Sequence, residues 1–242
     1  MTEPDRTPAF DLIAFDADDT LWHTERLYID ALNTLIQLVP GPMTVKELEE
    51  YLYRKEMVNI NLYGYGIKSY TLSMIETVAE LGGDELKAAH IQQVLELGKE
   101  MLGAQIDILP RVEETLQSLQ PRYNLMVITK GELLEQEAKI RRSGLGGYFR
   151  SYEVVSVKNQ DTYQSLLKRH GVEPRRFLMI GNSLKSDIQP VLELGGNAVH
   201  IPYELTWAHE MIDQPLTAAY HELEHIGLLP RLLDEIEAEN GV

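Results

Sequence analysis

The 242-residue chain contains no cysteine. Disulfides, thiolate metal sites and cysteine nucleophiles are thereby excluded, and nothing calls for an oxidising compartment. Positive charge is also scarce: 22 Lys and Arg stand against 38 Asp and Glu, a formal charge of −16. A general nucleic-acid binder needs a cationic footprint on the phosphate backbone, so no nucleic-acid polymer is expected as a partner. A small phosphorylated metabolite stays compatible, because salt screens charges beyond ~8 Å and the local field decides. No apolar run approaches the ~20 residues needed to span a bilayer, and "MTEPDRTPAF" holds no apolar signal core. A cytoplasmic protein without a membrane partner is the expectation.

What is present is a 44% apolar share, enough for one large domain or a core with an insertion. The apolar runs are short and read as buried strands: "LIAF" at 12–15, "LMVIT" at 125–129, "FLMI" at 177–180 and "NAVHI" at 197–201, with "YEVVSV" at 152–157 a weaker one. Helical patterns at 132–143, 160–170 and 184–194 lie between them, and Gly144, Gly171 and Gly195 follow as C-terminal stops. Strand alternating with helix predicts an α/β fold, a Rossmann-like parallel sheet whose ligands gather at the carboxyl ends of the strands. Asp16, Thr129 and Gly181-Asn182 all fall at such ends.

Residues 22–103 break the alternation with helical patterns and no convincing strand. They predict an inserted α-helical domain, leaving 1–21 and 104–242 as the core. Pro110 heads the next core helix.

The first strand ends in three carboxylates, Asp16, Asp18 and Asp19. Like charges so close resist desolvation, so a cation or a catalytic task would explain them better than a solvated turn. "FDADDTL" at 15–21 resembles the first motif of the haloacid dehalogenase-like hydrolases. Thr129 in "VITKGE" is similar to the second motif, Lys158 in "VVSVKNQDTY" to the third, and "MIGNSLKSD" at 179–187 to the fourth. All four occur in order, and the helical insertion sits where that family carries its first cap.

The resemblance implies a Mg²⁺-dependent phosphatase acting on a small phosphate monoester. Asp16 would be the nucleophile that forms an aspartyl-phosphate, with the phosphoryl charge neutralised by Mg²⁺ and Lys158. Asp18 would protonate the leaving oxygen and lend its backbone carbonyl to the metal. Thr129 and the Lys130 N–H would hold phosphoryl oxygens, and the Asp19 N–H would face them. The fourth motif departs from the common Gly-Asp in having Gly181-Asn182. The metal set is therefore expected to be Asp16, Asp18, Asn182 and Asp187, with Asn182 favoured as ligand and Asp187 as its support. A phosphomutase on the same fold is the alternative, and a non-catalytic binding module a further one.

In the insertion, "NLYGYGIKSYTLS" at 61–73 combines glycines, tyrosines and a lysine, and makes Tyr63, Tyr65 and Lys68 candidate substrate contacts. A rival motif is His221-Glu222-x-x-His225, the spacing of a zinc hydrolase when both histidines share one helical face. Gly227 and Pro230 interrupt that helix, and no downstream His supplies a third ligand.

Overall fold

In β1 (Leu12–Phe15) alternate side chains face opposite ways, as strand pleating dictates. Ile13 and Phe15 join one apolar cluster, while Leu12 and Ala14 join another on the opposite face of the sheet. The computed structural model, which describes residues 8–205, 207–210, 216 and 218–239, repeats this division in every central strand. Both faces are therefore apolar, which is why the strands read as continuous hydrophobic runs.

After β1 come four helices, α1 (Glu25–Leu35), α2 (Val45–Tyr63), α3 (Ile67–Gly82) and α4 (Ala88–Gly103). The core then resumes with α5 (Val112–Leu119), β2 (Leu125–Lys130), α6 (Leu133–Ser143), β3 (Ser151–Val155) and α7 (Gln160–His170). It continues through β4 (Phe177–Gly181), α8 (Gln189–Glu193), β5 (Asn197–His200), the short β6 (His221–Glu222) and α9 (Leu229–Glu239). All pairings are parallel, in the order β3-β2-β1-β4-β5-β6. The order reverses beside β1, so the crevice between β1 and its neighbours opens at their carboxyl ends.

One face of the sheet is covered by α5, α6 and α9 through Leu116, Ile140 and Leu233, the other by α7 and α8 through Tyr163, Leu167 and Val191. Helices α1–α4 bury a separate cluster, including Leu35, Leu48, Met74 and Val94. They pack mainly on one another, and α2 begins with a capping box between Thr44 and Glu47.

The continuous helix expected over 184–194 is instead a π-type turn (Leu184–Ile188) followed by the five residues of α8. Pro190 explains the break: it has no N–H to continue the ladder, and the Ser186 carbonyl accepts the Tyr163 hydroxyl at 3.1 Å instead. The π turn swings Asp187 back against Gly181, where a Cβ would lie 2.2 Å from its Oδ2. Only glycine admits that approach. No helix among the described residues is long and apolar enough to cross a membrane.

Candidate active site

Asp16 leaves the end of β1 with its N–H donated to the Ile180 carbonyl at 2.8 Å, so β4 fixes its backbone. The residue is 7% exposed and its Oδ1 receives the Lys158 ammonium. Lys158 also donates to Asp187 Oδ1 at 2.7 Å, and the second Asp187 oxygen accepts the Ser183 N–H at 3.1 Å. Burial pushes the Asp16 carboxyl above the usual carboxylate range, against the pull of Lys158 and with Asp187 adding to the rise. Burial works against the Lys158 ammonium, but Asp16 and Asp187 outweigh it and hold its pKa above the ordinary lysine value.

The other Asp16 oxygen faces Asn182. The carboxamide tip of Asn182 lies 3.2 Å from Asp16 Oδ2, 3.3 Å from the Asp18 carbonyl and 3.1 Å from Thr20 Oγ1. With Oδ1 turned inward, three oxygens from Asp16, Asp18 and Asn182 converge, an arrangement that a hard divalent cation would satisfy. Turned the other way, the amide NH₂ donates to the same atoms. Both Asp187 oxygens already serve Lys158 and Ser183. The donor set that fits Mg²⁺ is thus Asp16, the Asp18 carbonyl and Asn182, with Asp187 behind them. His200 ties Asn182 down: its Nε2 lies 3.0 Å from the Asn182 carbonyl and its Nδ1 3.0 Å from Glu222 Oε2.

Asp18 is held on all sides. Its Oδ1 receives Thr24 Oγ1 at 2.7 Å, Trp22 Nε1 at 2.9 Å and the buried Lys139 ammonium at 3.0 Å. Gln136 Nε2 donates to Oδ2 at 2.8 Å and to the Lys130 carbonyl at 2.7 Å. Burial alone would raise this carboxyl, but Lys139 and the three hydrogen bonds pull it down to about 2. Lys139 in turn lies 3.3 Å from Glu135 Oε1, and Glu135 Oε2 accepts the Ile67 N–H of α3 at 2.9 Å. A polar chain therefore joins Asp18 to the helical insertion.

Thr129 is buried at the end of β2 and lines the same cavity. Lys130 pairs with Glu210, donates to Ser186 Oγ at 3.0 Å and lies over the Tyr65 ring, 4.9 Å from its centroid. Glu210 also accepts from Ser183 and, at 2.6 Å, from Ser186. Burial opposes its charge, but Lys130 and these donors hold it at about 2. Glu210 belongs to a segment after β5 that crosses toward the insertion, where His209 Nε2 meets the Tyr65 hydroxyl at 3.0 Å.

A cavity of about 480 Å³ connects Asp16, Thr129 and Lys158 with Tyr28, Glu56 and Tyr70 of the insertion. Burial raises Glu25, reinforced by Asp19 and Glu56, to about 8, and burial raises Glu56 to about 7.

Three expectations are corrected, and the rival zinc motif does not form. The Asp19 N–H does not face the cavity; it donates to the Trp22 carbonyl at 2.7 Å. Asp19 has the left-handed φ of 61° that glycine tolerates best, and its Oδ1 caps α1 by accepting Thr24 N–H at 2.8 Å. Tyr63, the last residue of α2, is 54% exposed and away from the cavity. Lys68 also lies outside it, and pairs with Glu132 of the core at 2.8 Å. His221 and Glu222 form a strand, so His221 and His225 do not share a helical face, and Glu222 serves His200. Among the described residues no cluster of three His, Asp or Glu side chains is arranged to hold a metal.

A family model for haloacid dehalogenase-like hydrolases matches residues 10–195. The solved structure of a haloacid dehalogenase-like family hydrolase from Xanthomonas campestris is 35% identical, with a TM-score of 0.85 over 96% of this chain and 94% of that one. A glyceraldehyde 3-phosphate phosphatase of Pyrococcus furiosus is 30% identical over 55% of this chain, a match spanning 56% of that relative's length. An N-acylneuraminate-9-phosphatase of Rattus norvegicus is 23% identical over 94% of this chain and 95% of its own length.

Proposed function

Given that the chain belongs to the haloacid dehalogenase-like hydrolases, we propose that it hydrolyses a small phosphate monoester with Mg²⁺, through an aspartyl-phosphate on Asp16. The observation that carries the reading is the convergence of Asp16, Lys158, Thr129 and Asn182 at the carboxyl ends of the central strands. The phosphatases among its relatives support the choice of a phosphate ester. We read 22–103 as the cap of this enzyme and 1–21 with 104–242 as its catalytic core.

Asp16 attacks phosphorus, the ester oxygen departs, and water later cleaves the acyl phosphate to regenerate the carboxylate. A bound Mg²⁺ supplies Lewis-acid neutralisation of the phosphoryl charge. Lys158 holds Asp16 in line and adds a second positive charge beside the phosphoryl oxygens, while Asp187 fixes Lys158. Thr129 offers a hydroxyl from the neighbouring strand. Asp18 is ionised and bound to Lys139, Trp22, Thr24 and Gln136. Held at about 2 by these partners, it must change them before it can take a proton from water or give one to an alkoxide.

The test is phosphate release from p-nitrophenyl phosphate and a panel of phosphorylated metabolites, with Mg²⁺ and with excess chelator. Mg²⁺-dependent turnover is expected. No release from any ester under either condition would overturn the proposal.

A further inference from the structure

We propose that the chamber under the insertion takes a leaving group bearing a positively charged nitrogen, an ammonium or quaternary ammonium, at the corner formed by Tyr28 and Tyr70 beside Glu25 and Glu56. This rests on the phosphatase reading and narrows its substrate class. The cavity, about 480 Å³, has the size of a small-molecule site and continues from the catalytic floor to this wall.

Charge is divided unevenly along it. Each lysine of the floor is already paired: Lys130 with Glu210, Lys139 with Asp18 and Glu135, and Lys158 with Asp16 and Asp187. None is spare for an anionic leaving group. On the insertion wall, by contrast, Glu25 and Glu56 are partly buried and enter no ion pair or hydrogen bond through their carboxylates among the described residues. Lys46 is the single cation among the described residues of that wall, and it is exposed at the rim. Partly buried carboxylates without a counter-charge are costly to keep ionised, so both are raised toward protonation, and a cationic ligand would favour their charged forms.

The aromatic geometry agrees. The rings of Tyr28 and Tyr70 meet at 4.8 Å and 73°, the corner of an open cage. Such faces attract ammonium groups, quaternary ones included. The same cavity already shows the interaction, in Lys130 over Tyr65. Ser69, 4% exposed and also on this wall, has a buried Oγ without a hydrogen-bond partner. A carboxylate-bearing ester would gain nothing from Glu25 and Glu56 and would drive them further toward protonation, and a neutral alkyl ester would leave them without a counter-charge.

The experiment compares kcat/KM for choline phosphate with its carbon isostere, in which tert-butyl replaces trimethylammonium, and for ethanolamine phosphate with propyl phosphate. Glycerol phosphate, phosphoglycolate and p-nitrophenyl phosphate are controls. The cationic member of each pair should be preferred by roughly tenfold or more, and phosphoglycolate should be the poorest. Glu56→Gln and Glu25→Gln should each shrink the ratio, as should Tyr70→Leu; the exchanges at glutamate conserve shape should the tyrosine variant fail to fold. A ratio near one, a better polyol or anionic ester, or a ratio unchanged in both glutamine variants would overturn the inference while the phosphatase reading stands. Failure of every ester, p-nitrophenyl phosphate included, would sink that reading instead.

Discussion

Replacing Lys139 with methionine removes a buried cation and leaves Asp18 facing Glu135. The ammonium is 3% exposed as a residue and lies 3.0 Å from Asp18 and 3.3 Å from Glu135. Taking one partner from a buried pair strands the other charge, at a cost of about 3–5 kcal/mol. For a chain of 242 residues, at ~2 °C per kcal/mol, Tm should fall by roughly 6–10 °C. The pH dependence gives a sharper signature. In the native protein Asp18 is lowered from 3.8 to about 2; at 1.36 kcal/mol per pH unit this contributes about 2 kcal/mol. Because the folded pKa is the lower one, that stability is present above about pH 4 and is lost as pH falls toward 2. In Lys139→Met the unpaired carboxylate should titrate above its ordinary value, so acidification relieves the variant. Urea unfolding from pH 7 down to 3 should therefore show the difference between the two proteins shrinking as pH falls. The double variant Lys139→Met/Asp18→Asn should recover part of the loss at pH 7. A loss under ~1 kcal/mol, or one constant across that range, would refute the account of Asp18.

Asp18→Asn should slow an alkyl phosphate by ~10²–10⁴-fold and p-nitrophenyl phosphate, whose leaving group needs little protonation, much less; equal losses in steady-state assays would remove Asp18 from the acid role. Asn182→Leu should raise the Mg²⁺ concentration for half-maximal rate, whereas Asp187→Asn, which removes the charge facing Lys158 and leaves one acceptor oxygen for Lys158 and the Ser183 N–H, should lower the rate at saturating Mg²⁺. Metal titrations that moved only in the Asp187 variant would reverse that assignment. Lys68→Ala breaks an exposed pair with Glu132, worth ~0–1 kcal/mol, and should leave selectivity among phosphate esters unchanged; altered selectivity would return Lys68 to the substrate.

The strands were legible because each central one is a fully buried apolar run, as in "LIAF" and "FLMIG". Asp16, Thr129 and Asn182 were legible for the same reason: each follows such a run directly, and the topology brings those ends together. Lys139 was not, since a lysine four residues after Glu135 reads as an ordinary exposed helical pair, and only packing reveals that it is buried. Glu210 carries no local signal either, because it reaches Lys130 by the path of a segment without apolar periodicity. Tyr63 and Lys68 were misplaced because composition shows that a segment is unusual and not which way its side chains point. Tyr65, from the same stretch, does reach the cavity. Asp19 misled through its motif position: the turn demands a left-handed residue, and the side chain's oxygens then go to the start of α1.

The central claim is that phosphate passes through a covalent bond to Asp16. Radiolabelled phosphate ester should be mixed with enzyme and Mg²⁺, quenched in acid within a turnover, and the trapped acyl phosphate reduced with borohydride. The account predicts label on the protein before reduction and homoserine at position 16 after it, both lost in Asp16→Asn together with turnover. Turnover without label on the protein, homoserine at another aspartate, or substantial activity in Asp16→Asn would contradict it.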